Sequence, residues 1–313
     1  MNALLHPATT VKRPAAGGNA VKRPGTEMAG WLPVLALPVI SGITTYARLP
    51  AWGFLWVICF ALYAGCKWLT LHDALRGRLA APIARIASYL LAWPGMDAAA
   101  FLNDAAPPGP KIREWIFAAG KFAFGLLLTW VLARRFVAEH PFLAGWVGMV
   151  GLIFVLHFGL FHLLSLAWRR RGVRAEPLMR APLLATSLAE FWGRRWNAAF
   201  HELVHRYAFR PLLRATGASG ATLIVFLISG LVHELVISVP ARGGYGGPTL
   251  YFLLHGVALL LEHSAAGRHW GLGAGWRGRG FALAIATVPV GLLFHPPFVR
   301  NVILPFLHAI GAT

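Results

Sequence analysis

Three stretches of this sequence hold side chains that could do chemistry. Ser229 to Leu235 reads SGLVHEL, placing His233 and Glu234 side by side near the end of the apolar run ATLIVFLISGLVHELVISVP. Phe191 to Asn197 reads FWGRRWN and gathers Trp192, Arg194, Arg195, Trp196 and Asn197. His201 to His205 reads HELVH, with His201, Glu202 and His205 at zinc-peptidase spacing. A neutral imidazole can take a proton from a hydroxyl. A carboxamide donates a hydrogen bond without changing charge. Two histidines four apart share a helix face and can hold a metal.

Each stretch also has a plainer reading. An ionisable group inside an apolar run is costly and by default marks a functional site. From Gly220 to His233 a helix rises about 20 Å, well into a core of about 30 Å, so His233 is deep. Glu234 points about 100° away from it, where an arginine or polar group of a neighbouring helix is its expected partner. FWGRRWN fits an interfacial anchor, with indoles at headgroup level and arginines on phosphates. HELVH fits an amphipathic interfacial helix. A zinc site there needs a third ligand, for which Glu262 or His263 could be offered, and Arg195, Arg206, Arg210 and Arg214 disfavour a bound dication. We therefore expect no metal.

The elements that must position these residues are membrane helices. The 313-residue chain is 57% hydrophobic and only 13% charged. Soluble domains carry about 25% charged residues. The expected fold is all-α: a polytopic helical membrane protein of about 7–9 transmembrane helices plus interfacial or re-entrant ones. Apolar runs at about 30–47, 51–69, 114–133, 142–167, 220–239, 249–264 and 280–297 are long enough to cross or nearly cross a bilayer. Ala81–Trp93 has the amphipathic spacing of an interfacial helix, and Pro177–Trp192 is apolar enough to dip into the membrane as one. Residues 1–29, with two copies of VKRP, read as a disordered basic cytoplasmic tail, and 30–313 as one membrane-embedded domain. Cys59 and Cys66 read as buried thiols.

The net charge is +18. In a soluble protein that balance suggests nucleic acid, but here the basic residues lie between apolar runs and no nucleic-acid role is expected. Residues 168–218 hold ten arginines against Glu176, Glu190 and Glu202. By the positive-inside rule that loop and the tail are cytoplasmic.

FWGRRWN, a basic segment, SGLVHEL and YFLLHGVALLLE (Tyr251–Glu262) occur in an order that resembles the membrane-bound O-acyltransferase family, in its wax-synthase-like branch. AWPGMDAAAF (Ala92–Phe101) and LFHPPFVRNVILPF (Leu293–Phe306) are similar to further segments of that branch, so the resemblance runs from about residue 90 to the end. HELVH is not part of it. The resemblance implies a helical membrane fold with a central chamber reached from cytosol and bilayer, an acyl-CoA donor and a hydroxyl acceptor on a lipid or long-chain alcohol. It matches the family histidine to His233 and the motif asparagine to Asn197.

Acyl transfer from a thioester to an alcohol needs a base and a donor for the carbonyl oxygen. His233 is the candidate base and Asn197 the candidate orienting or oxyanion donor. Arg194 and Arg195 are candidates for the CoA phosphates, and Trp192 and Trp196 for lining the entrance. No cofactor beyond acyl-CoA as co-substrate is required. Wax ester synthesis is the first reading. The same chemistry on diacylglycerol, a sterol-like alcohol or a saccharide hydroxyl stays open, as do a zinc protease built on HELVH and a non-catalytic transporter or lipid-binding protein with His233 as a proton relay.

Overall fold

The computed structural model describes residues 24–77, 79–104 and 106–313. The basic tail expected over 1–29 falls, for residues 1–23, outside the described residues; residues 24–29 begin the first helix.

Long apolar runs without acidic residues leave the backbone no partner but itself, so they close into helices. α1 (Pro24–Thr45) and α2 (Ala51–Arg76) form an antiparallel pair. They touch closely at Gly65, where a Cβ would lie 2.6 Å from the Val34 Cα. α3 (Ile83–Ala92) is the short amphipathic helix, ended by Pro94-Gly95, and α4 (Ala98–Leu102) follows, capped by the Asp97 carboxylate. α5 (Ile112–Phe136) and α6 (Pro141–Arg170) make a second hairpin. Its helices meet at Gly125 and Gly159, where a Cβ would come within 2.6 Å of Val155 N and 2.8 Å of Phe122 Cα. Close backbone approach through small residues is how helices associate in lipid.

After α6 the chain loops through 171–187 and enters α7, a short helix over 188–195 whose second half is π-helical. α8 (Ala198–Ala241) is broken at Gly217, where φ is 70° and ψ 178°. α9 (Gly247–His263) packs against α8 through Gly230, whose Cβ would lie 2.7 Å from the Thr249 Cα. After the short α10 (Ala265–His269), α11 (Gly275–Leu293) and α12 (Pro296–Ala309) form one bent unit, 63° apart across the His295-Pro296 break.

One expectation is not confirmed and another needs correction. Among the described residues five helices are long and apolar enough to cross a membrane, or six if α11 and α12 count as one span, so the expected 7–9 is not confirmed. The shortfall comes from α9, whose 17 residues reach only about 26 Å, and from the bend that joins two apolar runs. The re-entrant helix expected over Pro177–Trp192 is also absent before Leu188. Pro177 and Pro182 interrupt it, Ala181 is left-handed at φ 49°, and only a 3₁₀ turn over Pro182–Leu184 remains.

Two packed clusters result. One joins α2, α3, α4 and the 173–178 loop around Tyr89, Trp93 and Phe101. The other, around Phe226, Tyr251, Phe252 and Leu259, joins α7, α8, α9 and α12. Cys59 and Cys66 are free thiols, Cys66 buried and Cys59 half-buried.

Candidate active site

The second cluster gathers the histidines and aromatics. His233 lies at the last α-helical position of α8 before a π-helical turn over Glu234–Ser238. Such turns widen the helix and recur at functional sites. His233 Nδ1 is 2.7 Å from the Ser229 carbonyl oxygen. A carbonyl only accepts, so Nδ1 carries the hydrogen and the neutral ring keeps the lone pair on Nε2. The residue is half-buried, and its ring lies 4.3 Å from that of Phe252 on α9.

Phe252 links His233 to FWGRRWN. Its ring centre is 5.8 Å from that of Trp192, which also stands edge-on to Phe226 at 5.8 Å and to His255 at 5.4 Å. His255 is wholly buried, with Nδ1 2.9 Å from the Tyr251 carbonyl oxygen. Two polar atoms in this group, Trp192 Nε1 and His255 Nε2, are buried without a hydrogen-bond partner among the described residues. A buried donor and a buried acceptor left unpaired are rare in native interiors. The rule that exposes His233, an ionisable group inside an apolar run, applies equally to His255 in YFLLHGV, and the sequence reading passed over it.

Two carboxylates fix the three elements. Glu234 Oε1 accepts from the backbone N–H of Gly246 and Thr249, each at 3.0 Å, and from the Thr249 hydroxyl at 2.9 Å. It thus caps the start of α9 rather than meeting an arginine. Glu262, at the far end of α9, is buried and accepts from the N–H of Leu188 at 2.5 Å and of Ala189 at 3.1 Å. An anion at a helix N-terminus satisfies orphan donors and complements the dipole. One end of α9 therefore holds α8 and the other holds α7, which sets Trp192 against Phe252. A groove of about 440 Å³ lined by Leu231, Glu234, Tyr245, Thr249 and Leu250 opens beside Glu234.

The rest of FWGRRWN is divided in its contacts. Arg195 donates to Glu190 at 2.8 Å and to the carbonyls of Arg180 and Ala181 at 3.2 Å. Burial opposes ionisation of Glu190, yet the Thr186 N–H and hydroxyl and the Arg195 guanidinium hold its carboxyl below the usual range. Arg194 is exposed, and among the described residues it has no ion-pair partner. Trp196 stacks on Phe191 at 5.6 Å and stands edge-on to Phe158 at 6.3 Å. Asn197 is left-handed, at φ 46°, and begins α8. Asparagine is among the few residues that adopt this conformation readily. Among the described residues no hydrogen bond joins its side chain to His233.

HELVH forms the first turns of α8. The His201 and His205 rings stack 5.9 Å apart at 17°. Among the described residues no group of three His, Cys, Asp or Glu is placed to hold a metal ion. Glu262 is bound to α7, and His263 Nδ1 meets the Leu259 carbonyl at 2.8 Å.

Residues 175–254, which contain FWGRRWN, HELVH, His233 and Phe252, match the model of the membrane bound O-acyl transferase family. Over that stretch the chain is similar to that family. It is 36% identical over 145 residues to the probable long-chain-alcohol O-fatty-acyltransferase 7 of Arabidopsis thaliana, covering 42% of each chain. It is 37% identical over 141 residues to probable long-chain-alcohol O-fatty-acyltransferase 2 of the same plant, covering 42% of this chain and 41% of the relative. It is 29% identical over 204 residues to the long-chain-alcohol O-fatty-acyltransferase of Simmondsia chinensis, covering 56% of this chain and 58% of that one. The chain thus spans about two fifths to three fifths of the length of these relatives. Its long apolar helices, together with that similarity, point to an integral membrane protein.

Proposed function

We propose that this protein moves a fatty acyl group from acyl-CoA to the hydroxyl of a long-chain alcohol, making a wax ester. The observation that carries this is the state of His233: Nδ1 is tied to the Ser229 carbonyl, so the proton-accepting nitrogen is the one turned away from the helix, in an aromatic-lined setting. The similarity to proteins named long-chain-alcohol O-fatty-acyltransferases supports the choice of acceptor.

The step balances within these groups. The alcohol oxygen attacks the thioester carbonyl carbon while His233 Nε2 takes the hydroxyl proton. Negative charge develops on the carbonyl oxygen, towards which the Asn197 amide is the proposed donor. The C–S bond then breaks, and the CoA sulfur leaves with the proton held on His233. Trp192 and Trp196 line the approach. Arg194, exposed and without an ion-pair partner among the described residues, is the better placed of the two arginines to attract the CoA phosphates, while Arg195 orders the 180–181 loop. The arginine-rich loops face the cytosol in this reading, where acyl-CoA is supplied.

The test uses protein purified in detergent, given labelled acyl-CoA and, separately, a long-chain alcohol, diacylglycerol and a sterol. Labelled wax ester, with little product from the other acceptors, is the expected result. CoA release without ester, or ester only on another acceptor, overturns the assignment of substrate.

A further inference from the structure

We infer that the cleft between α5 and α6, at the end of the hairpin where Glu114 and Arg169 lie, binds the headgroup of an anionic phospholipid. Lys121 of α5 points its Nζ at His162 of α6, 2.8 Å from Nδ1. A protonated ammonium only donates, so Nδ1 accepts and the ring hydrogen sits on Nε2. The joined pair therefore offers donors alone: the remaining ammonium hydrogens and Nε2–H. Among the described residues no carboxylate forms an ion pair with Lys121. The acid on these helices nearest in sequence, Glu114, is engaged by Arg169 at 2.6 Å and by the Lys111 N–H at 2.8 Å. Arg169 Nε is a further buried donor that has no hydrogen-bond partner among the described residues. A cluster that can only donate is completed by an anion.

The surroundings say which kind. Lys121 Nζ lies 4.6 Å from the ring centre of Phe117, which is 62% exposed, so the cation faces lipid and not the His233 site. Seven helical residues separate Lys121 from Glu114, and seven separate His162 from Arg169, so the pair sits about 10 Å deeper than the ion pair. A soluble anion would have to shed its water to reach that depth. A phospholipid brings its own apolar cover, and exposed Phe124 and Leu127 offer a wall for its chains. Exposed Lys111, Arg113, Arg170 and Arg171 at the hairpin's end give the approach a positive field. Basic pockets between membrane helices recognise anionic headgroups in this way, and the long lysine stem lets its charge reach up to them.

The experiment is native mass spectrometry of the full chain in non-ionic detergent, titrated with dioleoyl phosphatidylglycerol and with dioleoyl phosphatidylcholine. The wild type should retain the glycerol lipid preferentially. Lys121→Gln should lower that preference about five-fold, as for loss of one basic contact at an anionic surface, and Lys121→Arg should keep most of it. Should Lys121→Gln fold poorly by its melting curve, His162→Ala carries the same measurement from the other helix. Equal retention of both lipids by the wild type overturns the inference, as does a full preference surviving in either well-folded variant. Binding is read without acyl transfer, so this result and the acyltransferase assignment stand or fall separately.

Discussion

Two regions of the molecule bury polar side chains in apolar surroundings and treat them in opposite ways. In the α2–α4 cluster, Lys67 is 1% exposed. Its ammonium donates to the carbonyls of Trp93 at 2.9 Å and Gly95 at 2.7 Å, and stands 3.1 Å from the ring centre of Tyr89. Its three hydrogens thus have three receivers. The Tyr63 hydroxyl also donates to the Trp93 carbonyl, at 2.8 Å, so the AWPG turn is tied down from two sides. In the α7–α9 cluster, among the described residues, Trp192 Nε1 and His255 Nε2 have no partner and His233 uses only one ring nitrogen. A satisfied buried group holds a fold together. A group left unsatisfied in an otherwise well-paired protein points to something that binds there.

Substitutions at five residues sharpen or break that contrast, the largest effect first. His233→Ala should lower kcat by about 10²–10⁴-fold, the usual worth of a general base, with little change in melting temperature. Asn197→Gly should lower kcat by about 10²–10³-fold if the amide serves the oxyanion. Glycine keeps the left-handed backbone that alanine would strain, so activity retained in Asn197→Gly but lost in Asn197→Ala would assign Asn197 to folding alone. Lys67→Met should reverse the His233 pattern. It leaves the buried Gly95 carbonyl unpaired, at about 1–3 kcal/mol, and the Trp93 carbonyl with Tyr63 alone, so the melting temperature should fall while the folded fraction turns over normally. A large kcat loss in stable Lys67→Met would erase the distinction between the two regions. Arg194→Ala should raise the KM for acyl-CoA a few-fold in a salt-sensitive way, while Arg195→Ala should act mainly on stability through Glu190.

Much of this contrast was legible in the sequence. The apolar runs located the helices, because a bilayer span has one workable length and one workable backbone. His233 stood out because an imidazole deep in such a run is costly. Adjacency in the chain, however, says little about which polar atoms find partners. Glu234 sits beside His233 yet caps α9, and Glu262, weighed as a metal ligand, binds backbone 73 and 74 residues away. Arg194 and Arg195 look equivalent in FWGRRWN, but the loop carrying Arg180 and Ala181 folds back on only one of them. Lys67 carries the same intramembrane signal as His233, and only the return of the AWPG turn makes it structural. His255 went unnoticed because its run reads as a plain apolar helix until Trp192 packs against it.

The central claim is that His233 acts on substrate and does not hold the fold. It is tested most directly by the single-turnover rate of labelled ester formation by purified, monodisperse His233→Ala, with its melting temperature measured beside it. The account predicts a rate at least about 10²-fold below wild type and a melting curve close to it. Near wild-type turnover in that folded variant would contradict it.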